Sequence, residues 1–216
     1  MKIYGSEPIE IASGVIIDNS EMYFYQYLPV KLKGGAVDFI LPEQLKPLED
    51  VVIKCCNDFF HNICGRSITV YDSHYIYLTA KCLYVSSGEN LNRAGWHCDG
   101  FMTDDINYIW CDCIPTEYVT GQFELVQDHE KSIDQMNRLF YHSETLKCKP
   151  NSIYRLDETV IHRCDYNRSR NAVLRHFVKV SFSKEKYNLK GNSHNYLLDY
   201  DWEMKERDAH RNHPVK

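Results

Sequence analysis

The chain has 216 residues, 44% of them hydrophobic, and a formal net charge of −5 at pH 7. That length and apolar fraction suffice for one domain with a substantial core, and the acidic balance argues against a long nucleic acid as partner while leaving a nucleotide open. No apolar run reaches the length of a membrane span, and MKIYGSEPIEIASG at the start lacks the continuous apolar stretch of a secretory signal.

In chain order, GVIID (14–18) and MYFYQYLPV (22–30) read as strands, with KGGA (33–36) as a turn. A helix is predicted over 47–63: Pro47 suits its first position, and Leu48, Val51, Val52, Cys55, Phe59 and Ile63 recur at helical spacing. Gly65 is its stop. Strand signals then dominate: SITVYD (67–72), HYIYLTAKCLYV (74–85), NYIWCDCI (107–114) and GQFELV (121–126). HEKSIDQMNRLFYHS (129–143) carries Ile133, Met136, Leu139 and Phe140 at helical spacing. NSIYRLD (151–157), TVIHRC (159–164) and AVLRHFVKVSFS (172–183) close the strand-rich part, and the polar segment from Lys184 onward reads as an arm or a partly ordered extension. Many short strands with few helices predict a barrel or sandwich buttressed by the 47–63 helix. The nine cysteines follow no disulfide framework and no paired CxxC spacing, which points to reduced thiols and a cytoplasmic setting.

The stretch GWHCDGF (95–101) sets a histidine and an aspartate one residue apart. On a strand, His97 and Asp99 project to one side and Cys98 to the other. A lone His-x-Asp is common by chance and reads as a surface ion pair. Its context here is a second strand-borne histidine, His162, and a strand-borne arginine, Arg175, shortly after it. Two imidazoles and one carboxylate can hold a divalent ion on one triangular face and leave the opposite positions open, the arrangement of non-haem iron oxygenases. An arginine fork can grip the far carboxylate of a dicarboxylate with paired hydrogen bonds.

In GWHCDGF, TVIHRC and RHFVKVSF, across roughly residues 67–183, the chain resembles the Fe(II)/2-oxoglutarate-dependent oxygenases, nearest to their prolyl-hydroxylase-like and phytanoyl-hydroxylase-like branches. The resemblance implies a double-stranded β-helix (jelly-roll) fold, mainly β with supporting helices. It divides the chain into N-terminal strands and helix (1–66), barrel core (67–183) and C-terminal arm (184–216). It implies iron ligation by His97, Asp99 and His162. It also implies a hydroxylase that couples 2-oxoglutarate decarboxylation, with O2, to C–H oxidation of a peptide side chain, a small metabolite or a nucleobase.

Arg175 is the expected partner of the 2-oxoglutarate C5 carboxylate, aided by Tyr84. The chain departs from the family's Arg-x-Ser pattern, however. Lys179 with Ser181 offers Lys-x-Ser on the same strand face, and Arg170 in the YNRSRN turn is a third cation. Trp96, Phe101, Tyr108 and Trp110 are read either as substrate-pocket walls or as core. Arg163, Arg168 and Arg170 form a basic turn that is either solvated or a grip for an acidic substrate. His129, His142, His194, His210 and His213 are expected at the surface. The competing reading is a cupin-like barrel that binds a metal or small ligand without oxygenase turnover; it needs the triad and not the arginine.

Overall fold

The computed structural model describes residues 2–19, 21–35, 38–90 and 95–207. In chain order the strands are β1 (Ile3–Tyr4), β2 (Ile9–Ala12), β3 (Tyr23–Lys31), β4 (Tyr75–Val85), β5 (Ile106–Cys111), β6 (Thr116–Val119), β7 (Phe123–Glu124), β8 (Leu146–Lys147), β9 (Ile153–Leu156), β10 (Ile161–Cys164) and β11 (Val173–Ser183). The α-helices are α1 (Glu49–Asp58), α2 (Ile68–Asp72) and α3 (His129–Leu139).

One antiparallel sheet has the order β2-β9-β5-β11-β4-β3, and the facing sheet has the order β10-β6-β8. His97 adds to the second sheet beside β10 through a bridge to His162. From β4 onward the chain passes back and forth between the two: β4, β5, β9 and β11 lie in the first, and His97, β6 with β8, and β10 come between them in the second. This winding is that of a double-stranded β-helix.

The long strand β11 shows how the layers are built. Val178, Val180 and Phe182 face out and share a core with Leu48, Val51, Val52, Cys55 and Phe59 of the helical segment. Phe59 stacks on Phe182 with ring centroids 4.0 Å apart. Alternation turns Arg175, Phe177, Lys179 and Ser181 the other way, between the sheets. Register carries that face across the sheet: Arg175, Phe177, Lys179 and Ser181 lie opposite Leu83, Lys81, Thr79 and Tyr77 of β4, and Phe177, Lys179 and Ser181 opposite Cys111, Ile109 and Asn107 of β5.

Four sequence expectations are corrected. Residues 68–72 form a helical turn, not a strand, because the Ser67 hydroxyl accepts from the Val70 N–H and caps it. GVIID is irregular: Val15 is buried, and its backbone bonds to Asn151 and the Trp110 indole rather than to a neighbouring strand. Ile63 leaves the apolar stripe and is 40% exposed, because the helix widens to i→i+5 bonding over Phe59–Ile63 and shifts phase. The segment after Lys184 is no loose arm over its described part: Tyr187, Leu189 and Asn195 are buried, Tyr187 stacks on Tyr77 at 4.1 Å, and Asn195 bonds Pro29 and Ile40.

Candidate metal centre

GWHCDG needs its two glycines. Gly95 and Gly100 have φ of +88° and +72°, and an added Cβ would meet Asn137 at 2.8 Å or Asp105 at 2.9 Å. They let the chain turn sharply at both ends of a short extended piece. Between them His97 exchanges two backbone hydrogen bonds with His162, at 3.0 and 2.9 Å. The pairing brings the two imidazoles to a centroid separation of 4.6 Å.

Each ring is oriented the same way. His97 Nδ1 lies 3.0 Å from the Gly95 carbonyl, and His162 Nδ1 lies 3.1 Å from the Val160 carbonyl. A carbonyl only accepts, so each Nδ1 carries a hydrogen, which leaves Nε2 as the atom either ring could offer to a metal. Asp99 Oδ2 stands 3.6 Å from His162 Nε2. One donor atom from each of His97, Asp99 and His162 lies within 4.8 Å of the others. At bond lengths of about 2.1 Å the neighbouring ligands of one ion lie roughly 3 Å apart, so the three side chains would draw in around a bound ion. Burial, then the neighbouring His162, pushes the His97 imidazole down to about 4, so it is neutral at pH 7 as a ligand must be.

Three cations share the barrel interior with this triad. Lys179 donates to Asp99 Oδ2 at 2.9 Å and to the Tyr27 hydroxyl at 3.1 Å. Burial works to raise the Asp99 carboxyl, but Lys179 and the two histidines hold it well below the usual carboxylate range. Arg175 is fully buried. Its Nε donates to the carbonyls of Cys113 and Ile114, and Nη1 and Nη2 meet no acceptor. A buried guanidinium with idle donors is costly, and an acceptor placed against them would offset that cost. Burial, then Lys179 and Arg175, pushes Lys81 down to about 8, so the three ammonium and guanidinium groups feel one another. Ser181 donates to Asn107 Oδ1 at 2.6 Å, and the buried Asn107 Nδ2 meets no acceptor.

The other expected site residues lie elsewhere. Tyr84 sits opposite Leu174, on the outer face of the sheet, and is 62% exposed; it does not flank Arg175. Tyr108 and Trp110 also face out, opposite Val180 and Val178, with Tyr108 donating to Asp58 and the Trp110 indole to the Val15 carbonyl. Trp96 packs on Phe140 beneath the Arg163 guanidinium, and Phe101 packs on Tyr4 and His129. All four are buried, Tyr108 and Trp110 in the cluster under the helical segment and Trp96 and Phe101 in a second one with Tyr4, Met136 and Phe140. Arg170 is exposed on the 169–171 bend, while Arg163 and Arg168 pair with Glu117 and Asp165. His142 and His194 are exposed, His129 is half-buried, and His210 and His213 lie outside the described residues.

Sequence reasoning passed over Tyr27, Lys81 and Asn107. Lys81 alternates with Tyr77 and Thr79 on a legible strand, but which face of that strand turns inward waits on its register with β11. Tyr27 has no such signal: a bulge between Tyr25 and Leu28 turns it inward with φ of +48°.

No protein-family model matches this chain, and no curated protein matches it. Among solved structures it is similar to EvdO2 from Micromonospora carbonacea var. aurantiaca, at 14% identity and a TM-score of 0.39. That match covers 64% of this chain and 65% of EvdO2. Against EvdO2 complexed with 2-oxoglutarate the identity and score are the same, over 82% of this chain and 76% of the other. A bsmA homolog from Methylobium petroleophilum PM1 is similar at 12% identity and a TM-score of 0.36, over 77% and 65%.

Proposed function

We propose that the protein is an Fe(II)- and 2-oxoglutarate-dependent oxygenase, most simply a hydroxylase. The observation that carries this reading is one barrel interior holding both a two-histidine, one-carboxylate set and a buried guanidinium whose terminal nitrogens have no acceptor. The donor chemistry fits iron: two imidazoles and a carboxylate gathered within reach of one another. A bound ferrous ion would supply the O2 chemistry that couples 2-oxoglutarate decarboxylation to C–H oxidation.

The chain's own residues do the rest. His97 and His162 present Nε2, each ring locked by its Nδ1–H to carbonyl bond. Asp99 supplies the anionic ligand. Arg175 receives the C5 carboxylate of 2-oxoglutarate through Nη1 and Nη2, and its Nε bonds hold the fork in place. Lys179 is engaged by Asp99 and Tyr27, which favours Arg175 for that role. Phe177, beneath the guanidinium with Cζ 5.0 Å from the ring centroid, and the apolar cluster of Ile109, Cys111, Tyr118, Leu156 and Val160 exclude water from this end of the barrel.

The test is calorimetric titration of 2-oxoglutarate into protein loaded with Co(II) as an oxygen-inert substitute. Wild type should bind it, and Arg175→Met should bind about 100-fold more weakly with Co(II) affinity unchanged. Equal binding by both would remove Arg175 from the cosubstrate site. No binding by wild type, with Co(II) bound, would favour the metal-binding barrel without turnover.

A further inference from the structure

The contact between Lys179 and Asp99 is out of place in a site that only waits for a metal. The ammonium lies 2.9 Å from Oδ2, the same oxygen that stands 3.6 Å from His162 Nε2. Both side chains are buried. A cation on that oxygen neutralises the one anionic ligand and repels an incoming dication at close range, where the low local dielectric screens little. The ammonium has a second acceptor already at hand, the Tyr27 hydroxyl at 3.1 Å. The bulge at Tyr27 aims that hydroxyl inward, and the ring is buttressed edge-on by Tyr187 at 5.2 Å.

We infer that Lys179 is a built-in counter-ion that occupies Asp99 until a metal displaces it toward Tyr27, so that Lys179 and Tyr27 together regulate metal loading. This deepens the oxygenase reading and rests on the triad being the metal site. Lys179 is then a positioning residue: it acts through Asp99, keeping the carboxylate charged, buried and correctly turned in the metal-free protein. Metal arrival exchanges one ionic partner of Asp99 for another, and Tyr27 keeps the released ammonium from being stranded in the interior.

The two residues should therefore shift metal affinity in opposite directions. Lys179→Met removes the competitor and leaves Asp99 without a counter-ion, so a dication gains more by binding. Co(II) affinity should rise at least about tenfold. The metal-free variant should melt several degrees lower, and saturating Co(II) should close that gap. Tyr27→Phe removes the alternative acceptor and should weaken Co(II) binding by about three- to tenfold. Lys179→Arg keeps the charge and should stay near wild type.

The experiment is equilibrium Co(II) titration followed by visible absorption, with differential scanning calorimetry of metal-free and Co(II)-saturated protein, on wild type, these three variants and His162→Ala. A merely structural lysine would lower affinity or leave it unmoved, so weaker or equal binding by Lys179→Met overturns the inference. If that variant does not fold, Tyr27→Phe decides alone: unchanged or tighter binding overturns it. Wild type that binds no better than His162→Ala would instead defeat the triad as a metal site, which is the failure of the underlying reading.

Discussion

Along β11 the residues alternate one by one between two environments. Val178, Val180 and Phe182 point out and are sealed under the helical layer. Arg175, Lys179 and Ser181 point in, equally buried, among hydroxyls, carbonyls and the triad carboxylate. Around Val178, Val180 and Phe182 the outer face is held by apolar packing. The inner face spends polar and charged groups where a hydrophobic side chain would pack more favourably. Burial by itself therefore does not separate scaffold from site on this strand, and neither does a lone unsatisfied polar atom, because the outward His176 also keeps an unpartnered Nδ1; the convergence of several polar and charged groups on the triad does.

The largest effect should come from breaking the outer face. Val178→Asp buries an unpaired carboxylate between sheet and helix and should cost more than about 4 kcal/mol, read as loss of the cooperative urea transition.

Next comes the pH dependence of the metal-free protein. Burial and His162 hold His97 at about 4, below its ordinary value of 6.5. A depressed histidine binds fewer protons folded than unfolded, so the stability it contributes is present above pH 6.5 and lost as pH falls toward 4. The loss is on the order of 3 kcal/mol. Asp99, held below the carboxylate range, gives up its share only at still lower pH. Melting temperature followed from pH 7 to pH 4 should fall, and His97→Ala should flatten that slope; an equal slope in both would assign it elsewhere.

Smaller and of opposite sense is the inner face. Arg175→Met replaces a guanidinium with two idle nitrogens by an apolar chain, and the metal-free protein should melt within about 1 kcal/mol of wild type or above it. A loss of 3 kcal/mol or more would make Arg175 a structural residue. The least effects belong to two aromatics on the outer face of the sheet, Tyr108 and Tyr84. Tyr108→Phe should cost about 1 kcal/mol through its bond to Asp58. Tyr84→Ala should change stability by less than about 0.5 kcal/mol, and 2-oxoglutarate binding not at all.

Much of this was legible beforehand. The alternation over 172–183 and the apolar stripe from Leu48 to Phe59 rest on local periodicity, which the chain obeys; the link from His-x-Asp to the distant His162 rests on ligand type and on the resemblance, and the structure brings the three together. What was hidden depends on cross-strand register. Tyr84 and Lys81 lie on the same strand with opposite parity, and only the pairing of Leu174 with Tyr84 reveals which faces in. Tyr108 and Trp110, open in the sequence between pocket wall and core, depend on the same thing: on β5 the set that shares the face of Phe177, Lys179 and Ser181 is Asn107, Ile109 and Cys111. The turn at 68–72 was read as a strand because its β-branched residues outweighed one capping serine. Tyr27 depends on a bulge that no neighbouring residue announces.

The central claim is that His97, Asp99 and His162 hold an iron to which 2-oxoglutarate binds. The most direct measurement is an anaerobic visible-absorption titration of metal-free protein with Fe(II) and then 2-oxoglutarate, beside a His97→Ala control. The account predicts a charge-transfer band that needs both additions and is missing in the control. Bound iron with no band after 2-oxoglutarate, or a band that survives in His97→Ala, would contradict it.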